Sequence, residues 1–280
     1  MGKEIALLEL NLRKKSPRTR ATYTWLSRMF LDFSAGDLSR ARCLQFVEKM
    51  ENEGYGNNSR RLAHYALAKL YKSIEVRFPL DGDDLTPLPS NPNTPYLSPE
   101  QIGRLIAFWS GEVGSYETSL LYLATIYGLR SLEMTDAGIG EKLVVYMAKK
   151  RGGMRPPREH LLPSNAAGFV SGYEHMSERT VLDKFHRICD LAGVNEPGYG
   201  AWHTIRRTLS TQLQLALTTK MLQLDDKARI PQSDVVTDIV TRFLRWEKRR
   251  GAMPSVYFHL PPGEIDQMCF GCHPFLRLWV

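Results

Sequence analysis

The sequence predicts a mainly α-helical protein with one small β-sheet, divided into two domains, and three observations carry that reading. Helical spacing of apolar residues recurs from segment to segment on both sides of residues 81–95. The stretch from Asp81 to Pro95 sets Pro87, Pro89, Pro92 and Pro95 among Asp and Asn residues, so it supports neither a helix nor a central strand and reads as a linker. One run, Leu143-Val144-Val145-Tyr146-Met147, has the β-branched and aromatic character of a strand. The expected division is a helical domain over 1–80, a linker over 81–95 and a second domain over 96–280. With 280 residues, 43% of them hydrophobic, the chain has material for a core in each.

In the first domain, Ser16-Pro17 can cap and start a helix on which Thr22, Leu26, Phe30 and Phe33 recur at helical spacing. A second helix is expected from Leu38 to Met50. A third starts near Asn58-Ser59 and carries Leu62, Tyr65, Ala66 and Leu70. Arg60, Arg61, Lys69 and Lys72 give it a basic side. Beside Tyr65 and Tyr71, these side chains could straddle a nucleic-acid backbone; as a solvated helix face they need no partner. After the linker, Ser98-Pro99-Glu100-Gln101 has the form of a helix start. Thr118 to Tyr127 is mostly apolar, which predicts a buried helix ending at Gly128. Gly152-Gly153 turns the strand, and Pro156-Pro157 puts its return partner at an edge or a bulge. Helices over Ser177–Ala192, Thr204–Leu217 and Asp234–Glu247 complete the pattern, with Asp225-Asp226-Lys227 as a loop between the last two.

A formal net charge of +7 favours a polyanionic partner, although solubility alone also explains it. The first apolar stretch soon meets Arg13, Lys14 and Lys15, and no run of eighteen apolar residues occurs. Neither a signal peptide nor a membrane span is expected. Cys43, Cys189, Cys269 and Cys272 do not read as a disulfide framework in a chain this long, which suggests a reducing, cytoplasmic compartment.

A sparse, ordered set of residues could do chemistry. Arg130 follows the apolar helix and its glycine, with Ser131 placed to cap the next turn. Glu133 either pairs with Arg130 structurally or orients it toward an anion. Lys149 and Lys150 end the strand, where an ammonium could reach a phosphate oxygen or simply face solvent. His203 and Arg206 stand three apart at a helix start, so both side chains leave one face. Arg207, next to them, could contact a nucleic-acid backbone instead. Trp246 is a core aromatic or an indole N–H donor. Tyr257 says nothing alone. Together, two guanidiniums, a lysine, a histidine and a phenol can clamp a phosphodiester, attack it and protonate the leaving oxygen.

Taken in order, these pieces resemble the tyrosine recombinase family, the phage-integrase-like enzymes. Thr125-Ile126-Tyr127-Gly128-Leu129-Arg130-Ser131-Leu132-Glu133-Met134 is similar to the family's first arginine box, with its acid three residues on. The resemblance maps the hairpin lysine to Lys150, with Lys149 as the alternative. It maps the second box to His203-Thr204-Ile205-Arg206, the second histidine (tryptophan in some members) to Trp246, and the nucleophile to Tyr257. Ser16-Pro17-Arg18-Thr19 and the helix to Phe30 look like the opening of the family's helical core-binding domain. Tyr96-Leu97-Ser98-Pro99-Glu100 looks like the start of its catalytic domain. Arg206 and Tyr257 lie 51 residues apart, wider than in compact members, and Trp246 and Tyr257 are also spaced wide, across Lys248-Arg249-Arg250.

The resemblance implies site-specific cleavage and rejoining of double-stranded DNA by transesterification, through a 3′-phosphotyrosine on Tyr257. Arg130 and Arg206 would hold the non-bridging oxygens, with His203 and Trp246 adding hydrogen bonds and Lys150 acting as acid. It further implies a homo-tetramer on DNA with dimeric intermediates, admits accessory DNA-bending proteins, and places the protein at the nucleoid. No cofactor is expected, since the carboxylates do not cluster and Asp83-Asp84 and Asp225-Asp226 read as loops. The family's C-terminal segment packs on a neighbouring subunit, and the apolar tail Pro274-Phe275-Leu276-Arg277-Leu278-Trp279-Val280 is read here as docking in trans rather than in cis. Cys269-Phe270-Gly271-Cys272-His273 has the c-type haem attachment pattern, and a zinc clip could join both cysteines to His259 or His273; buried reduced thiols are the default. The rival functions are a type IB-like topoisomerase, a DNA-binding protein of the same fold without catalysis, and a helical adaptor.

Overall fold

The structure, a computed structural model, describes residues 2–87, 95–146, 157–195, 200–224, 232–244 and 261–279, leaving aside the side chains of 221–224 and 232–234. The chain divides into two compact units, Met1–Asn93 and Thr94–Val280.

The N-terminal unit holds helices α1 (Gly2–Asn11), α2 (Pro17–Ser34), α3 (Arg40–Asn52) and α4 (Asn57–Ser73). Their starts follow local chemistry. Ser16 Oγ accepts the Thr19 amide at 3.2 Å, with Pro17 in the first turn, and Ser39 Oγ accepts the Arg42 amide at 3.4 Å. Leu8, Leu26, Phe30, Phe46, Met50 and Leu67 form the core, where Phe30 meets Phe46 edge-on with centroids 5.5 Å apart. Tyr71 is buried in this core, and its hydroxyl donates to Leu38 O at 2.7 Å. Helix α1 was not expected from the sequence; it contributes Ile5 and Leu8 to the core. Beyond α4, Leu80 is buried and Asp84 pairs with Arg40 at 2.5 Å, so the Asp83-Asp84 pair belongs to a folded turn.

The C-terminal unit is built around one buried helix. It contains α5 (Pro99–Trp109), α6 (Tyr116–Tyr127) and α7 (Ser131–Met134). The strands follow as β1 (Gly138–Ile139), β2 (Lys142–Val145) and β3 (Arg158–Leu161). Then come α8 (Ala166–Val170), α9 (Glu178–Leu191), α10 (Trp202–Leu224), α11 (Gln232–Phe243), α12 (Pro262–Phe270) and a 3-10 turn at Leu276–Leu278. All 12 residues of α6 are buried, as an all-round apolar helix requires. Trp109 and Trp202 pack beside α9 and donate their indole N–H groups to Ile188 O at 3.1 Å and Val181 O at 2.8 Å. Ser98 and Gln101 form the full capping box of α5.

The sheet is antiparallel in the order β1-β2-β3, with Leu143 opposite His160 and Val145 opposite Arg158. The return strand therefore begins immediately after Pro157. The two-residue strand β1 has too little apolar patterning to be read from sequence. Mainly helical with one small sheet is thus the observed class. Among the described residues, no helix is long and apolar enough to cross a membrane.

In this single chain the C-terminal tail packs against its own unit. Trp279 is fully buried and stacks edge-on against Tyr122 and Phe169, with centroids 5.2 Å and 4.9 Å away. Its indole N–H donates to Thr125 Oγ1 at 3.1 Å, and Asn165 Nδ2 donates to its carbonyl at 2.6 Å. The groove that the apolar tail needs is formed by α6 and α8 of its own unit.

Candidate active site

The last turn of α6 positions the first candidate. Gly128 ends the helix in a left-handed conformation, φ 58°. A β-carbon there would lie 2.9 Å from Leu244 Cδ2 and 3.3 Å from Leu209 Cδ2, so the backbone angle favours glycine and a larger residue would also have to displace these methyls. Arg130 then takes the N-cap position of α7 in extended backbone. Ser131 does not cap this turn; its hydroxyl instead donates to Glu178 at 3.4 Å. Glu133 reaches back to the Arg130 amide with one oxygen at 2.9 Å and takes the Arg130 guanidinium with the other at 2.5 Å. Its side chain is fully buried, while that of Arg130 is 17% exposed.

Arg206 arrives from α10. Its terminal nitrogens donate to the carbonyls of Gly128 and Leu244, and Nη1 also stands 3.9 Å from Glu133. One buried carboxylate therefore faces both arginines, and Arg206 joins the end of α6 to the end of α11. The carboxylate thus holds both the backbone and the guanidinium of Arg130, whose side chain stays partly exposed. His203 lies in the first turn of α10, one turn from Arg206, with its side chain exposed where Arg206 is buried. Arg207 is half-buried and donates to Pro95 O at 2.7 Å. Lys149, Lys150, Trp246 and Tyr257 lie outside the described residues, as does His259.

On α4 the basic residues have different surroundings. Arg60 donates to Asn57 at 2.7 Å and pairs with Glu51, while Arg61 donates to Thr86 O at 2.9 Å and to the Tyr65 hydroxyl at 3.2 Å. Lys69 is half-buried, and Lys72 and Tyr65 are exposed.

The sequence reading missed a second charged centre. Asp266 on α12 is fully buried. It accepts from the Leu161 amide at 2.8 Å and from Arg158 Nη2 at 3.2 Å, and it faces His160 Nδ1 at 3.0 Å. Arg158 and His160 share one face of β3 because strand side chains alternate, and two such donors on one buried face were the available signal. His273 is also fixed. Its Nε2 donates to Ile126 O at 3.0 Å, and Nδ1 accepts from the amides of Phe275 at 3.2 Å and Leu276 at 3.1 Å. Burial lowers its pKa to about 4, so the ring is neutral. With both nitrogens engaged it cannot complete a zinc clip with Cys269 and Cys272, and burial pushes both thiols up. Among the described residues, no three His, Cys, Asp or Glu side chains are placed to hold a metal ion.

No protein-family model matches the chain, and no curated protein matches its sequence. Solved structures do match its fold. A lambda integrase dimer bound to a COC′ core site superposes with a TM-score of 0.59 at 12% identity, covering 93% of this chain and 99% of that one. XerH site-specific recombinase, bound to palindromic difH substrate in a post-cleavage complex, superposes with a TM-score of 0.51 at 12% identity, covering 81% of this chain and 78% of that one. The chain has the tyrosine-recombinase fold.

Proposed function

We propose that this protein is a site-specific DNA recombinase that cuts and rejoins strands through a phosphotyrosine at Tyr257. The observation that carries the reading is the Glu133 carboxylate facing both Arg130 and Arg206, in a fold shared with two recombinases solved on their DNA sites. Arg130, held against a buried acid with part of its side chain exposed, suits a non-bridging oxygen of a phosphodiester and its growing charge, while Arg206, buried with its terminal nitrogens on backbone carbonyls, would reach the phosphate by exchanging one of those bonds. His203, exposed one turn before Arg206, adds a donor or shuttles the tyrosine proton.

In the first step the Tyr257 oxygen bonds to phosphorus and the bond from phosphorus to the 5′ oxygen breaks. The leaving oxygen takes its electron pair and a proton, which Lys150 supplies, with Lys149 as the alternative donor. Trp246 contributes an indole N–H to the phosphate. A second strand's 5′ hydroxyl reverses the step, so the phosphodiester energy is kept in the covalent bond. The N-terminal unit serves as the core-binding domain, with Arg60, Arg61, Lys69 and Lys72 of α4 near the DNA backbone and Arg207 on the catalytic side. The working assembly is a tetramer on paired sites, formed through dimers and aided where needed by DNA-bending proteins. Integration or excision of mobile DNA is the expected outcome.

The test is incubation with supercoiled DNA carrying candidate sites, followed by denaturing gels. Covalent adduct with exchanged strands supports the reading, provided that Tyr257→Phe gives neither. Relaxation without exchange indicates a topoisomerase. Binding without any adduct, at sites where strands should exchange, indicates a protein of this fold that lacks catalysis.

A further inference from the structure

We infer that Tyr173 is a positioning residue for Arg130, acting through the single turn of α7; this rests on the recombinase reading. A helix of four residues forms too few internal hydrogen bonds to offset the cost of starting it, so it must be held from outside. Its N-terminal end is held by the residues it carries. Glu133 takes the Arg130 amide at 2.9 Å, and the Arg130 carbonyl accepts from the Glu133 and Met134 amides at 2.9 Å and 3.0 Å. Its far end is held by Tyr173, from the loop between α8 and α9. The Tyr173 hydroxyl donates to Met134 O at 2.9 Å and accepts from the Ala137 amide at 3.0 Å. His175 Nδ1 lies 3.3 Å from the next carbonyl, Thr135 O.

The ring of Tyr173 and its hydroxyl have separate roles. The ring stacks on Tyr116, with centroids 6.2 Å apart and planes inclined by 24°, a contact that phenylalanine would keep. The hydroxyl serves the backbone. Met134 and Ala137 are fully buried, so without it a carbonyl and an amide lose their partner where water does not readily replace it. Burial pushes the Tyr173 pKa up, so the hydroxyl keeps the proton it donates. From there the contacts run without a gap to the candidate site. Met134 follows Glu133, whose buried carboxylate takes the Arg130 guanidinium at 2.5 Å. A turn free to rotate at its far end carries Glu133 with it, and Arg130 follows its acid. Arg130 must face a non-bridging oxygen as charge grows there, and a misdirected donor slows that step more than it weakens binding.

The test uses the full-length protein, a site with an ordinary scissile phosphate, and the same site as each methylphosphonate isomer, in which methyl replaces one non-bridging oxygen. The methylphosphonate is uncharged, so its cleavage depends less on a guanidinium that balances charge. Relative to wild type, Arg130→Ala should cleave one isomer better than it cleaves the ordinary site; equal losses on all three would place Arg130 away from the phosphate and overturn the inference. Tyr173→Phe should cleave the ordinary site about 10-fold more slowly and that isomer within about threefold of wild type, with DNA affinity unchanged, the pattern of a misdirected Arg130. Equal losses from Tyr173→Phe on both substrates mean a general structural role and overturn the inference. Tyr116→Phe is the control for the stacked pair. Its hydroxyl is buried and meets no hydrogen-bond partner among the described residues, so cleavage should not change; a loss as large as that from Tyr173→Phe overturns the inference. Amide exchange at Ala137 provides a readout independent of activity: protection should fall there while α6 stays protected, and unchanged protection overturns the inference. A wild-type protein that cleaves no substrate overturns the recombinase reading and this inference with it; a cleaving wild type with Tyr173→Phe unimpaired overturns only this inference.

Discussion

Replacing Glu133 by alanine removes a fully buried carboxylate that faces two guanidiniums, at 2.5 Å from Arg130 and 3.9 Å from Arg206. Arg206 keeps its bonds to the Gly128 and Leu244 carbonyls but loses the Glu133 charge. Breaking a buried pair from one side costs about 3–5 kcal/mol. The 17% exposure of Arg130 lets water recover part of this, so the lower end, about 3 kcal/mol, is expected. With a urea dependence of about 2 kcal/mol per molar, the unfolding midpoint should fall by roughly 1.5 M. Tryptophan fluorescence suits the assay because Trp109, Trp202 and Trp279 all lie buried in the C-terminal unit. A cycle with Arg130→Ala separates pairing from packing: the double variant should lose clearly less than the two single losses added together, by about 1 kcal/mol or more. On DNA, cleavage by any folded fraction should drop about 100-fold, the cost of one misdirected donor at a developing charge. A midpoint shift below about 0.3 M, or a double variant whose loss equals the sum within about 0.5 kcal/mol, would refute the account of Glu133 as the acid that sets both forks.

Two further outcomes follow from the same unit. Gly128→Ala places a methyl 2.9 Å from Leu244 Cδ2 in a left-handed backbone and should lower the melting temperature by about 4–8 °C, for a cost near 2 kcal/mol. Gly128→Asn tolerates the backbone angle but not the contact, so an asparagine variant as stable as wild type would contradict the steric argument. His273 is held at a pKa of about 4 by burial, below the value of about 6.5 in an unfolded chain. The unfolded state therefore binds the extra proton first. The stability from the neutral ring is complete well above pH 6.5 and declines as pH falls toward 4, by about 2–3 kcal/mol at pH 4.5. Urea midpoints at pH 7 and pH 4.5 should separate more for wild type than for His273→Gln; equal separations would show that the ring titrates normally.

What could be read from the sequence was mostly local. Ser16-Pro17, Ser98-Pro99 and Ser177 mark helix starts because a cap and its acceptor lie within one turn, and each is found there. The buried α6 follows from an apolar run long enough for a helix. Glu133 lies three residues from Arg130, so their pairing was open to inspection. The missed features depend on distant partners. Asp266 and Arg158 are 108 residues apart, and neither is distinctive alone. Helix α12 was not read from the sequence; Pro262 occupies its first turn, where a missing amide costs no hydrogen bond. That the apolar tail needs a groove was legible, but composition cannot say whose groove it is.

The end of α6 shows why the cis arrangement matters for the candidate site. A helix leaves its last carbonyls without partners inside the helix, and a buried end needs donors from elsewhere. Here the Ile126 carbonyl takes the His273 ring at 3.0 Å, and the Gly128 carbonyl takes Arg206. The tail thus caps the same turn from which Arg130 emerges, and Trp279 covers Thr125 one residue earlier in the helix. Tyr127 completes the anchorage by donating its hydroxyl to Leu161 O at 2.8 Å, beside the Leu161 amide that Asp266 holds. Sheet, tail and α10 therefore meet around four consecutive residues, and Arg130 inherits its position from all three. A tail lifted out of its own groove would leave Ile126 O unpaired in a dry site, so any exchange between subunits has to return an equivalent donor to that carbonyl before Arg130 can hold its place.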